Sequence, residues 1–168
     1  MLCIYTLDMI NEFTAKKIGE VMAFCEVGID TWKRASLTLS NTLSAEQVTN
    51  YIDINNAHLE ALKKFIGENN ISEITLTKQG KTVEKLTKMR DLYVGDEWEN
   101  STEIMEWSGF FEGAAIVHFA LLNGCAQGLD NSNLMMICEE GLNFHGEILD
   151  LATSELESVG QSKNTKID

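Results

Sequence analysis

Not one proline interrupts the 168 residues of this chain. Proline breaks helix interiors and marks loops, and at an average usage of roughly 5% about eight would be present. Its absence favours long helices joined by short turns. The apolar spacing agrees, recurring at threes and fours nearly throughout. No repeat, low-complexity tract or linker divides the chain, and its length suits one domain with a sizeable core.

The first helix is expected from Asp8, as its cap, to Ser40, with Ile18, Met22, Cys25, Ile29 and Trp32 on one stripe. Ser44 and Gln47 form a capping box for the second, whose stripe is Val48, Tyr51, Ile52, Leu59, Leu62, Phe65 and Ile66. "ISEITLT" over residues 71–77 is β-branched, but a lone strand has nothing to pair with, so irregular or helical backbone is expected there. A short helix then ends at Gly95. The fourth helix is expected from Ser101 to Gln127 and the fifth from Asn133 to Ser158. The expected fold is all-α: an antiparallel bundle of four long helices plus one short helix over residues 1–158, with a polar tail over residues 159–168.

Charge is distributed unevenly. The formal net charge is −13, and from Asp91 to Ser162 there is no lysine or arginine. Nucleic-acid binding draws its affinity mainly from Lys/Arg on phosphate, so the chain is not expected to bind nucleic acid directly. An anionic membrane surface is disfavoured for the same reason. The N-terminal "MLCIYTLDMINEF" lacks the features of a secretory signal. Cys3, Cys25, Cys125 and Cys138 fit no zinc spacing. Free thiols in the cytoplasm are the expectation.

The stretch Ser108–Leu129, "SGFFEGAAIVHFALLNGCAQGL", is long enough to span a membrane. Glu112 and His118 sit inside it and no basic residue flanks it, which argues for a central core helix instead. Gly109, Gly113, Gly124 and Gly128 form two G-x-x-x-G pairs, read as close helix packing because each interior glycine otherwise costs about 0.5–1 kcal/mol.

Taking the last two helices as a hairpin that turns at Asn131–Ser132 puts His118 opposite His145 and Cys125 opposite Cys138. The stripe Trp107, Phe111, Ala114, His118, Leu121, Cys125 would then face Leu134, Cys138, Gly141, His145, Ile148, Ala152 with knobs-into-holes spacing. The two layers would lie about 10 Å apart along the axis, too far for one Cys2His2 zinc site. A metal or haem held by His118 and His145 remains one reading. The chain departs from the ferritin-like Glu-x-x-His pattern at Glu112, Glu140 and Glu147. With three histidines it falls short of a hemerythrin-like set, and "AHLEALKK" around His58 departs from a phosphotransfer histidine motif. No phosphate loop, nucleophile elbow or H-E-x-x-H is present.

The same register gathers Glu99, Glu103, Glu106, Glu155 and Glu157 at the end of the hairpin away from its turn. Only the segment holding Lys81, Lys85, Lys88 and Arg90 is placed to neutralise them. Left uncovered, they would steer a basic partner. The expected function is therefore a non-enzymatic acidic interaction protein, of inhibitor, immunity or adaptor type, that binds a basic partner protein. The alternative is a metal- or haem-binding bundle built on His118 and His145. Self-association through exposed helix faces is also permitted.

Overall fold

The computed structural model describes residues 10–164. Among the described residues there are five α-helices, one 3-10 turn and no strand. The helices are α1 (Glu12–Ala35), α2 (Ala45–Glu68), α3 (Ser72–Val94), α4 (Ser101–Gly128) and α5 (Ser132–Lys163). The all-α class is as expected, but no helix is short: α3 runs 23 residues and includes "SEITLT". Its β-branched residues are helical because they pack. Thr75 is buried and donates through Oγ1 to the Ala15 carbonyl (3.2 Å), and Gln79 donates through Nε2 to Glu26 (2.7 Å). Tertiary contact outweighs the few tenths of a kcal/mol of propensity per residue.

The helix ends follow local chemistry. Ser44 and Gln47 close the expected capping box in both directions. Asn11, Asn100 and Asn131 cap α1, α4 and α5 by accepting from Thr14, Thr102 and Leu134 amides. The cap of α1 is thus Asn11; Asp8, like Cys3, lies outside the described residues. Gly95 ends α3 with φ +54°, and Asp130 turns the α4–α5 connection with φ +49°.

The centre of the fold is α1, not α4. Its buried residues point in every direction, including Ile18, Met22, Phe24, Val27 and Trp32. Trp32 meets Tyr51 of α2 and Phe24 meets Phe111 of α4. On the α3 side a Cβ at Gly19 would overlap the Thr75 carbonyl oxygen, so glycine is what lets these two backbones approach. Contacts between α1 and α3 climb both helices together, from Gly19–Thr75 to Asp30–Arg90, so this pair is parallel. Contacts between α4 and α5 climb one helix as they descend the other: Gly109 faces Ala152, Phe119 faces Gly141, and Cys125 neighbours Cys138.

In α4 only 33% of the most apolar 18-residue window is buried, so the expected central core helix is instead an outer wall. The helix is apolar enough and long enough to cross a membrane by composition and length, a test that a soluble core helix also passes. Of the four glycines in its G-x-x-x-G pairs, Gly109 packs on Ala152, whereas Gly113, Gly124 and Gly128 face open space. Close packing within the chain therefore explains only the first.

Candidate functional site

The buried stripe of α5 is the expected one: Leu134, Cys138, Gly141, His145, Ile148 and Ala152 are all buried. On α4 the stripe is rotated by one residue. Ser108, Glu112, Ala115, Phe119, Leu122 and Ala126 face inward, in place of Trp107, Phe111, Ala114, His118, Leu121 and Cys125 as the hairpin seam. Trp107 and Phe111 are buried as well, but against α1 and α3. The rotation changes the partner of His145. Its ring lies 5.0 Å from that of Phe119, and its Nδ1 is hydrogen-bonded to the Glu112 carboxylate, with both side chains sealed from solvent.

His118 takes a different partner on a different face. It is half-buried against α1, its Nδ1 3.3 Å from the Glu20 carboxylate and its ring 4.8 Å from that of Phe24. Burial lowers its pKa and Glu20 partly opposes this. Burial alone would raise the Glu20 carboxyl, but Lys17 and Lys78 hold it below the usual carboxylate value. The structure thus gives His118 and His145 one carboxylate each and joins neither to the other. The cysteines do meet: Cys125 and Cys138 belong to one apolar cluster as free thiols.

The histidine that shares the interior with His145 is His58 of α2. Both rings pack on Phe119 and Phe144, His58 at 6.0 Å from each and His145 at 5.0 and 4.9 Å. Burial, with His145 alongside, holds the His58 imidazole down at about 4. His58 Nε2 stands 4.0 Å from the Glu140 carboxylate of α5. Three buried polar atoms here have no hydrogen-bond partner: His58 Nδ1, His145 Nε2 and Asn55 Oδ1. Outside them lies a cleft of about 610 Å³ between α2 and α5, lined by Ala57, His58, Ala61, Glu140 and Glu147 among others. Among the described residues, no three His, Cys, Asp or Glu side chains gather closely enough to hold a metal ion between them.

Sequence reasoning weighed His58 only against a phosphotransfer motif and passed over Asn55, yet a signal for the burial of both exists. The apolar stripe of α2 breaks between Ile52 and Leu59, and Asn55 and His58 occupy the missing inward positions. Polar residues that continue an apolar stripe are buried, and buried polar groups need partners.

At the acidic end, Leu156 packs in the same cluster as Ile104 and Met105. This brings Glu155 and Glu157 to the end that holds Glu103 and Glu106. The basic segment does not neutralise them. Arg90 is buried and bonds Asp30 (2.6 Å) and Asp91 (3.1 Å), Lys88 pairs with Glu84, and Lys78 with Glu20. Among the described residues no ion pair joins Glu99, Glu103, Glu106, Glu155 or Glu157 to a basic side chain; Glu106 accepts from the Tyr93 hydroxyl (3.3 Å).

The outward face of α4 continues from this acid. Glu106, Phe110, Gly113, Val117, Leu121, Gly124 and Gly128 fall on one side of the helix, and Phe110, Val117 and Leu121 are 54%, 66% and 42% exposed. Past Glu106 that face carries no charge. Fold and surface together define a five-helix all-α bundle with an apolar wall running into an acidic end. No known protein-family model, curated protein or solved structure matches the chain.

Proposed function

We propose that the protein is a non-enzymatic docking protein whose partner presents a basic, amphipathic helix to the outward face of α4. The observation that supports this reading is the pairing of an exposed apolar stripe, Phe110 to Gly128, with glutamates that form no ion pair with a basic side chain among the described residues. Open space at Gly113, Gly124 and Gly128 lets a second helix come close to the α4 backbone. Glu99, Glu103, Glu106, Glu155 and Glu157 would meet Lys or Arg at one end of that helix and set its direction. Two copies of this chain suit the face less well, since each carries the same net charge of −13.

The test is titration of the purified protein with a synthetic helical peptide that bears Leu at i, i+3, i+4 and i+7 and Lys at one end. Saturable binding that weakens as salt rises, and that is lost in Val117→Asp and reduced in Glu103→Lys/Glu106→Lys, supports the reading. Binding indifferent to salt or to Val117→Asp would overturn it. So would a wild-type protein that ignores the peptide but dimerises through this face, or one that partitions onto neutral lipid vesicles, which would assign the face to a second copy or to a bilayer.

A further inference from the structure

A cleft of about 180 Å³ lies between α1, α3 and α4. Both α3 and α4 pack on α1 but meet each other little, so side chains alone line the gap between them. Its two ends differ. At one, Glu20, Lys78 and His118 come together. At the other, Leu86, Met89, Trp107 and Phe111 form one apolar cluster with Phe24 of α1. Lys85 stands between them on the α3 rim. Glu20 is the one acid on the lining, and Lys17 (2.8 Å) and Lys78 (3.0 Å) already hold it. Lys85 is exposed and in no ion pair among the described residues, since Glu84 beside it is taken by Lys88. In a chain of net charge −13, this apolar cleft is therefore lined by more positive charge than negative. An apolar cavity of about 150 Å³ takes benzene, so the space suits one ring, or a branched chain, with a short arm.

We infer that the α1–α3–α4 cleft binds a small monocarboxylate with an aromatic or branched aliphatic body. The body covers Phe24, Leu86, Met89 and Phe111, and apolar burial supplies most of the affinity. The carboxylate accepts from Lys85 Nζ. Thr82 supplies no donor, because its hydroxyl already donates to the Lys78 carbonyl (3.0 Å). One unpaired ammonium matches one negative charge, and Glu20 at the polar end repels a second, which selects a carboxylate over a phosphate. Phe110 borders both this cleft and the outward stripe of α4. The rest of the cleft lies off that stripe, so the inference goes beyond the docking reading and stands without it.

The test is titration of the intact protein with phenylpropionate at low salt, followed by calorimetry and NMR. One saturable site per chain is expected. Phenylpropionamide should bind more weakly than the acid, and phenylpropylamine more weakly still. Lys85→Glu alters an exposed side chain and should weaken binding about 5–20-fold. Lys81→Glu makes the same charge change one turn away and off the lining, and should leave binding within about twofold. Ala114→Leu should fill the cleft and abolish binding, with thermal unfolding to check that the variant is folded. In the wild type, nuclear Overhauser effects should join the phenyl ring to the Met89 methyl. No binding by the wild type at about 10 mM ligand would overturn the inference. An amine that binds as tightly as the acid, a Lys81→Glu loss equal to that of Lys85→Glu, or contacts to Val117 in place of Met89 would overturn it equally. Val117→Asp, which removes peptide docking, should leave phenylpropionate binding intact, so the two readings fail separately.

Discussion

Glu112 and His145 are hydrogen-bonded across the α4–α5 seam with almost no solvent at either side chain. Removing one member of a buried pair strands the other, at a cost of about 3–5 kcal/mol. Glu112→Ala is expected to lose stability on that scale. Glu112→Gln should lose less, because its amide oxygen still accepts from Nδ1–H. Urea unfolding measures both, and equal losses would show that the hydrogen bond contributes little beyond side-chain volume.

Gly141 and Phe119 interlock on the same seam. A Cβ at Gly141 would overlap the Phe119 ring, which is fully buried and has no free side to move into. Gly141→Ala should therefore destabilise by about 1–3 kcal/mol through overpacking. Gly124→Ala is the control: its Cβ meets open space, so the helix should gain about 0.5–1 kcal/mol. Thermal unfolding of the two variants should move in opposite directions.

The burial of His58 makes stability depend on pH. Its folded pKa is about 4 against an ordinary 6.5. Above pH 6.5 both folded and unfolded states hold it neutral, and no stability is lost. As pH falls from 6.5 toward 4, the unfolded chain takes up a proton that the folded one refuses. Stability then declines by at most about 1.4 kcal/mol per pH unit from this group. His118 is lowered too and adds in the same direction. His58→Gln should show a shallower decline over this window than wild type, measured by denaturant unfolding at several pH values. Parallel slopes would mean that His58 titrates normally in the fold.

The thiols should separate by reactivity. Burial pushes Cys25 and Cys138 up to about 12, and only a thiolate attacks. Cys125 is half-buried. In a Cys3→Ser background, a disulfide reagent should modify Cys125 in the native protein and reach Cys25 and Cys138 only on unfolding. Rapid loss of all three thiols would indicate frequent opening of the apolar cluster that α1, α4 and α5 share.

Much of the architecture was legible without coordinates. The missing prolines and the Ser44–Gln47 box are local signals, and local structure obeys them, whereas the asparagine caps of α1 and α5 fall one to three residues from the expected starts. The inward stripe of α5 was legible because polar residues such as Glu139, Asn143 and Glu147 mark its outer side. In α4 apolar residues run all the way round, so periodicity could not choose a face, and the one-residue rotation that gives His145 to Glu112 and Phe119 stayed hidden. The α3 segment misled for a related reason: its helix is held by Thr75, Gln79 and Arg90 against α1, contacts about 60 residues distant in sequence that no local window contains.

The sequence by itself thus determined that this chain is helical, where most of its helices begin and stop, and that its last third carries acid with almost nothing basic to answer it. Tertiary structure decided which helix is central, which histidines look inward, and that the apolar side of α4 is left uncovered. The division follows from the range of the forces: caps and periodicity act within a turn or two of the chain, whereas burial is shared among helices and is settled only when all five have packed.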